Sequence, residues 1–352
     1  MMSIQDCKKL KHQAAGHDGP LTDQDEMLLF KPSNNQEIEF YEKLSTRVPS
    51  NVDSNDVPFH YWTPLFLGVL REDKSQTAIN DREQLNFITE KSKPITLSKL
   101  PNINTEKTYL VLENLLYGYE RPNILDIKLG RILWDESASE EKRIRLKEVS
   151  RKTTSGSLGF RICGMKMCQN SLINRMLDPK YYASDDDEYI LVNKFYGREL
   201  TQSNVTDAFD VFFGDDKLSS ERRACLIDTF LKRLQLFYNS LLNEEVRMIS
   251  SSLLFIYECD PSRWDILEND HELLPSHLGY EDEENEDDES DEENRSDKYD
   301  TYPQKPKTLS NMALIDFAHS KFTPGSGIDD NTIEGVENLI SIFEKLKTKY
   351  TV

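Results

Sequence analysis

Short apolar runs separated by polar stretches set the pattern of the chain. An apolar run at 26–32 (EMLLFKP) is followed at 35–44 (NQEIEFYEKL) by helical spacing, then by apolar stretches at 63–70 and 109–116. Residues 71–107 are polar and read as loop. The run PNILDIKLGR at 122–131 alternates. In a strand, Leu125, Ile127 and Leu129 point one way and Asp126 and Lys128 the other, with Pro122 and Gly130 as breakers at its ends. One face suits a core, the other chemistry or a salt bridge.

Residues 137–157 give a basic helical pattern that runs into a Ser/Thr/Gly-rich turn. Strand candidates follow at 161–167 and 189–195. At 219–245 Leu226, Ile227, Phe230, Leu234, Phe237 and Leu241 recur at the spacing of a long amphipathic helix. A strand-like segment at 251–258, the run MALIDFAHS at 312–320 and a closing helix over 333–347 complete the series. No internal repeat is evident. The pattern places a first lobe over 1–114 and a second over 115–352.

Length and charge sharpen this picture. A chain of 352 residues can bury a sizeable core as two lobes of one domain, or as two domains. Its net charge is −20, but eleven acids fall within residues 281–293, and without them the balance is about −9. Self-repulsion and the lack of apolar residues predict disorder for the insert at 279–307. Duplex binding draws on basic surface, so nucleic acid is not expected as a direct ligand. The five cysteines lack C-x-x-C spacing and a paired His cluster, which argues against a zinc site or a disulfide framework. Neither a signal-peptide pattern nor an apolar run of membrane-spanning length is present, and the expected setting is the reducing cytosol or nucleus.

Phosphoryl transfer needs a cation on the phosphates, a carboxylate for metal, a group on the acceptor hydroxyl and an adenine pocket. Each has a candidate. Lys31 ends an apolar strand with Glu37 and Glu39 just after it, as in kinase-like lobes; taken alone it fits an ordinary edge-strand lysine better. Asp316 closes the run MALIDF with His319 three residues on, placed to hold Mg²⁺ or simply to form a turn. Asp126 and Lys128 suit a hydroxyl and bridging phosphates, or a structural ion pair. LENLL at 112–116 can present backbone groups to adenine. The sequence has no G-x-x-x-x-G-K-[ST], G-x-G-x-x-G or H-R-D, so neither a P-loop enzyme nor a protein kinase is supported.

The pattern P-x-x-x-D-x-K-x-G, met by Pro122, Asp126, Lys128 and Gly130, resembles the signature of the inositol polyphosphate kinase family. SSLL at 251–254, IDF at 315–317 and HQAAGH at 12–17 resemble its other motifs in the expected order. LENLLYGYERPNILDIKLG and KRLQLFYN are most similar to the fungal multikinases of that family. The resemblance implies an α+β, two-lobed, kinase-like ATP-binding fold, with ATP and Mg²⁺ as cofactors. It implies adenine at the connector from Glu113 to Leu115, Lys31 on the ATP phosphates and Asp316 on the metal. Asp126 would meet the inositol hydroxyl, Lys128 the transferred and substrate phosphates, and His319 the inositol phosphate. Ser251 and Ser252 lie in a motif without an assigned contact.

The basic segment 135–157 then reads as a substrate surface, with Lys142 aligned to a substrate-contacting position and Arg145 close by; otherwise it is a solvated helix face. The resemblance implies a monomeric kinase of the nucleus and cytoplasm. It would phosphorylate inositol 1,4,5-trisphosphate to tetrakis- and pentakisphosphates, with MADS-box regulators as partners of the acidic run. A non-catalytic nuclear scaffold binding basic transcription factors is the competing expectation.

Overall fold

The structure is a computed structural model that describes residues 7–15, 19–47, 56–71, 107–185, 188–214, 216–269, 272–274, 277 and 308–351. The acidic insert at 279–307 and most of the polar stretch 71–107 lie outside the described residues. Strands are β1 Lys8–Lys9, β2 Leu21–Thr22, β3 Leu28–Pro32, β4 Phe66–Arg71, β5 Thr108–Glu113, β6 Pro122–Leu129 and β7 Phe160–Cys168. They continue as β8 Tyr182–Asp185, β9 Tyr189–Val192, β10 Val246–Met248, β11 Ser252–Glu258, β12 Ser310–Ile315 and β13 Ser320–Phe322. One antiparallel sheet runs β1-β2-β3-β5-β4 and a second β12-β11-β6-β7-β9-β8, while β10 and β13 form a separate ribbon.

The alternation read in β6 is the organising feature of the larger sheet. Leu125, Ile127 and Leu129 are fully buried in the main core, together with the apolar stripe of helix Ser220–Leu242. Helix Asp330–Tyr350 packs its own stripe on that helix, so Phe343 stacks on Phe255 of β11 and meets Phe213 and Phe230 edge-on. On the opposite face of β6, Ile124 joins Ala14, Tyr119 and Ile256 in a smaller cluster, leaving Asp126 and Lys128 as its polar positions. Gly130, at φ 94°, ends the strand in a conformation that side-chain-bearing residues rarely adopt.

The connector between the sheets is held by a buried acid. The Glu258 carboxylate accepts from the backbone N–H groups of Glu120, Arg121 and Asp260 at 2.7, 2.9 and 2.9 Å. Burial raises its pKa against the pull of those three bonds. Within the sheet, Asn123 donates to the Tyr257 hydroxyl at 2.6 Å and accepts from the Cys168 N–H at 2.7 Å, which fixes β6 laterally.

Two elements differ from the sequence expectation. Residues 153–157 continue as helix Thr154–Leu158 and not as a turn, because Thr153 closes helix Glu140–Lys152 and opens the next one. The strand expected over 189–195 stops at Val192. The Asn193 side chain accepts from Phe195 N–H and caps helix Lys194–Glu199. A third correction concerns the cysteines. Cys168 at the end of β7 and Cys259 just past β11 are paired as a disulfide, two positions that only the tertiary fold brings together. Among the described residues no helix is long and apolar enough to cross a membrane.

Candidate active site

Lys31 sits on β3, between β2 and β5 in the sheet and opposite Leu110 of β5. Its Nζ donates to Glu37 Oε1 at 2.7 Å and to Asp316 Oδ1 at 2.5 Å, joining residues 285 positions apart. Burial would lower the lysine pKa, but Asp316 and Glu37 outweigh it and the net shift is upward. Glu37 is placed by its helix, Asn35–Thr46, whose N-cap Asn34 accepts from the Glu37 N–H at 2.9 Å. Glu37 Oε1 also accepts from Phe317 N–H at 2.9 Å. Glu39, the other acid considered from sequence, is exposed and faces Lys43.

Asp316 follows β12 with φ 67°, a left-handed turn that carries the chain out of the sheet. The next residue anchors this turn. Phe317 is fully buried, stacked on Phe40 at 4.4 Å and edge-on to Tyr41 at 5.3 Å, burial that contributes about 2–3 kcal/mol. The carboxylate beside it remains partly accessible.

Register brings the second pair to the same place. Lys128 lies opposite Ser252, and Ser252 opposite Ile315, so the row across β6, β11 and β12 ends beside Asp316. Asp126 is one pleat away, opposite Gly164, and a bulge at Cys163 breaks the β6–β7 ladder there. A side chain at Gly164 would clash with the Ala14 carbonyl, so the glycine lets the N-terminal segment cross this strand. Asp126 is buried, and its Oδ1 has no hydrogen-bond partner. Burial first and Asp316 second push its pKa up to about 6, against Lys128, a hydrogen bond from Ser252, and Lys31. Lys128 Nζ donates to the Ser250 carbonyl at 2.7 Å, and Ser250 itself has φ 62°.

His319 is half-buried, with Nδ1 on Asp135 Oδ2 at 2.5 Å. Burial would raise the Asp135 pKa, but hydrogen bonds from Ser137 and His319 hold it below the usual value. Lys142 and Arg145 are exposed on helix Glu140–Lys152, whose only buried residue is Ser150. Among the described residues no hydrogen bond or ion pair links either of them to Asp126 or Lys128. At the connector, Glu113 spends its carboxylate on the Leu65 N–H at 2.9 Å and on His277 at 2.5 Å, so the side chain serves the strand end. Leu115 packs against the cluster beneath Ala14.

The sequence reading had no signal for Asp135, for the Ser250 carbonyl or for His277. Each acts through a contact more than a hundred residues away in the chain. Among the described residues no group of three or more His, Cys, Asp or Glu forms a self-sufficient metal site. A hard cation that keeps waters and phosphate oxygens needs fewer protein ligands, and the accessible Asp316 carboxylate fits that oxygen-only chemistry.

The inositol polyphosphate kinase family model matches residues 109–344, a span from β5 into the last helix. The chain belongs to the inositol polyphosphate kinase family. This kinase is 52% identical over 357 residues to an inositol polyphosphate multikinase of Saccharomyces cerevisiae, covering 98% of its own chain and 100% of that protein. With an inositol polyphosphate multikinase of Schizosaccharomyces pombe it shares 32% identity over 339 residues, or 96% and 97% of the two chains. Its structure matches the crystal structure of an inositol phosphate multikinase from S. cerevisiae in complex with ADP and Mn²⁺. The TM-score is 0.68 at 45% identity, covering 91% of this chain and 99% of that one. The α+β kinase-like fold expected from the sequence is the fold of this family member, and the chain is a phosphotransferase.

Proposed function

We propose that this kinase is an ATP-dependent multikinase that phosphorylates inositol 1,4,5-trisphosphate at more than one ring hydroxyl, giving tetrakis- and pentakisphosphates. The observation that carries the reading is Asp126, a buried carboxyl with one unpartnered oxygen and a pKa near 6, set among Lys128, Lys31 and Asp316. Such a group is ionised at neutral pH yet basic enough to take a proton from a sugar hydroxyl.

In this reading the substrate hydroxyl gives its proton to Asp126 Oδ1 as its oxygen bonds to the γ-phosphorus, and the bond from that phosphorus to the β,γ-bridging oxygen breaks. Lys31, kept in place by Glu37, neutralises the ATP phosphates, and Lys128 meets the transferred group. Mg²⁺, held by Asp316, would screen the charge of the β- and γ-phosphates. Adenine lies at the connector from Glu113 to Leu115. His319, with Lys142 and Arg145 reaching from their helix, meets the phosphates of the inositol, and a substrate with three phosphates calls for several such cations.

A second role, in transcription regulation, rests on the eleven acids in residues 281–293, whose charge suits basic partners such as MADS-box regulators. Residence in the nucleus and cytoplasm belongs with it. Incubation of the purified protein with γ-labelled ATP, Mg²⁺ and inositol 1,4,5-trisphosphate tests the kinase reading. Label should pass into tetrakis- and then pentakisphosphate; label released only as free phosphate would overturn it.

A further inference from the structure

We propose that Asp135 is a positioning residue that orients the His319 ring for the inositol phosphate. The inference rests on the reading of His319 as a substrate contact. Its physical basis is the way the ring is held. An ionised carboxylate can only accept, so the 2.5 Å contact to Asp135 Oδ2 takes the Nδ1–H and leaves Nε2 to face the ligand, as an N–H donor to a phosphate oxygen in the doubly protonated ring. Asp135 is in turn fixed through its other oxygen, which accepts from Ser137 N–H at 3.0 Å and from its hydroxyl at 2.6 Å. Its side chain is 18% exposed and that of His319 36%, so the carboxylate is sheltered while the ring keeps an open side.

The backbone on both sides is also tied down. Ser320 N–H donates to the Phe317 carbonyl at 3.0 Å, and β13 begins at Ser320, so the His319 Cα lies in a closed turn. One residue beyond Asp135, Glu136 faces Lys321 at 3.7 Å, a second crossing between the same two segments. Three residues beyond Glu136, Ser139 caps the helix of Lys142 and Arg145. The Asp135 turn thus ties the start of the basic helix to the segment that carries Asp316 and His319. A ring fixed at its Cα and at Nδ1 presents Nε2 in one orientation, and at metal-binding histidines loss of such an outer partner lowers affinity or activity by about 10–100-fold.

The test uses the full chain with Asp135→Asn, His319→Ala and the double variant, measuring KM for inositol trisphosphate and for ATP, Tm, and the His319 ring nitrogen shifts by NMR. Asp135→Asn should raise KM for the inositol phosphate about tenfold, leave KM for ATP and Tm near wild type, and shift the ring away from the Nδ1-protonated form. His319→Ala should raise the same KM, and the double variant should match it. If His319→Ala raises that KM and Asp135→Asn does not, the positioning role falls while the substrate reading stands. If His319→Ala has no effect, both fall. Additive effects in the double variant, or a ring spectrum unchanged by Asp135→Asn, would also overturn the role.

Discussion

Replacing Asp126 by Asn should stabilise the protein while abolishing its chemistry. Asp126 is held with its pKa raised from 3.8 to about 6, chiefly by burial and then by Asp316. The native state therefore binds the proton more tightly than the unfolded chain, and the ionised carboxylate is a liability at neutral pH. About two pKa units correspond to about 3 kcal/mol at pH 7. The sign follows directly: wild-type stability drops as pH rises from about 4 to about 6, where the unfolded chain has released the proton and the native state still holds it.

Asn keeps the shape and can still accept from Ser252, but it carries no charge. It also leaves a buried amide group where the unpartnered Oδ1 stood, which offsets part of the gain. Urea denaturation of both proteins across pH 4 to 7.5 should show Asp126→Asn more stable by about 1–3 kcal/mol at pH 7 and indistinguishable near pH 4. Its turnover should fall by about two or more orders of magnitude. A difference independent of pH, or a variant less stable at pH 7, would refute the burial and charge reasoning.

Glu37→Ala removes a buried acceptor from both Lys31 and the Phe317 N–H; a stability loss of about 3 kcal/mol and a raised KM for ATP should follow, and an unchanged Tm would count against the clamp. Asp316→Asn should displace the Mg²⁺ dependence of turnover to higher concentration with partial rescue. It should also move the acid limb of the pH–rate profile below that of wild type, because Asp316 helps raise the Asp126 pKa; a limb left in place would contradict that coupling. Deleting residues 281–300 should spare kinase turnover and Tm, since loop closure changes by only about 0.6 kcal/mol per doubling of length. Pull-down of basic partners should weaken, and loss of turnover in a folded protein would place the tract inside the mechanism.

What the sequence disclosed and what it hid divide along physical lines. The alternation around Asp126 and Lys128 is a local property, so it predicted β6 and its two faces correctly, and the same holds for the helical stripe of Ser220–Leu242. The neighbourhood of Lys31 and Asp316 was legible only as two separate candidates. Their 2.5 Å contact depends on the packing of Phe317 under helix Asn35–Thr46. Helix Val205–Phe213 sets Thr206, Asp207 and Asp210 on one side of an otherwise buried element, but nine residues hold the period for little more than two turns, too short a window to stand out. The β8 strand is short and mostly exposed, and it lies at a sheet edge without a hydrophobic signal. The Cys168–Cys259 pair and the carbonyl of Ser250 carry no local mark, because each acquires its role only when β6, β7 and β11 are side by side. Lys142 and Arg145 were legible as a basic cluster with a solvated helix face as its alternative, and both stand exposed on their helix, but spacing alone could not say which side chains meet a ligand.

Single-turnover transfer by Lys128→Ala is the most direct test that the Asp126–Lys128 face is where phosphoryl transfer occurs. Lys128 is half-buried and its side chain donates to a backbone carbonyl, so the variant should fold, bind ATP with near wild-type Kd and still engage the inositol phosphate through other cations. Loss of one charge-assisted contact in a closed site is worth about 2–4 kcal/mol, which is about 30- to 1,000-fold in the transfer step. A rate within a few-fold of wild type, with both substrates bound, would contradict the account and move the reacting groups elsewhere.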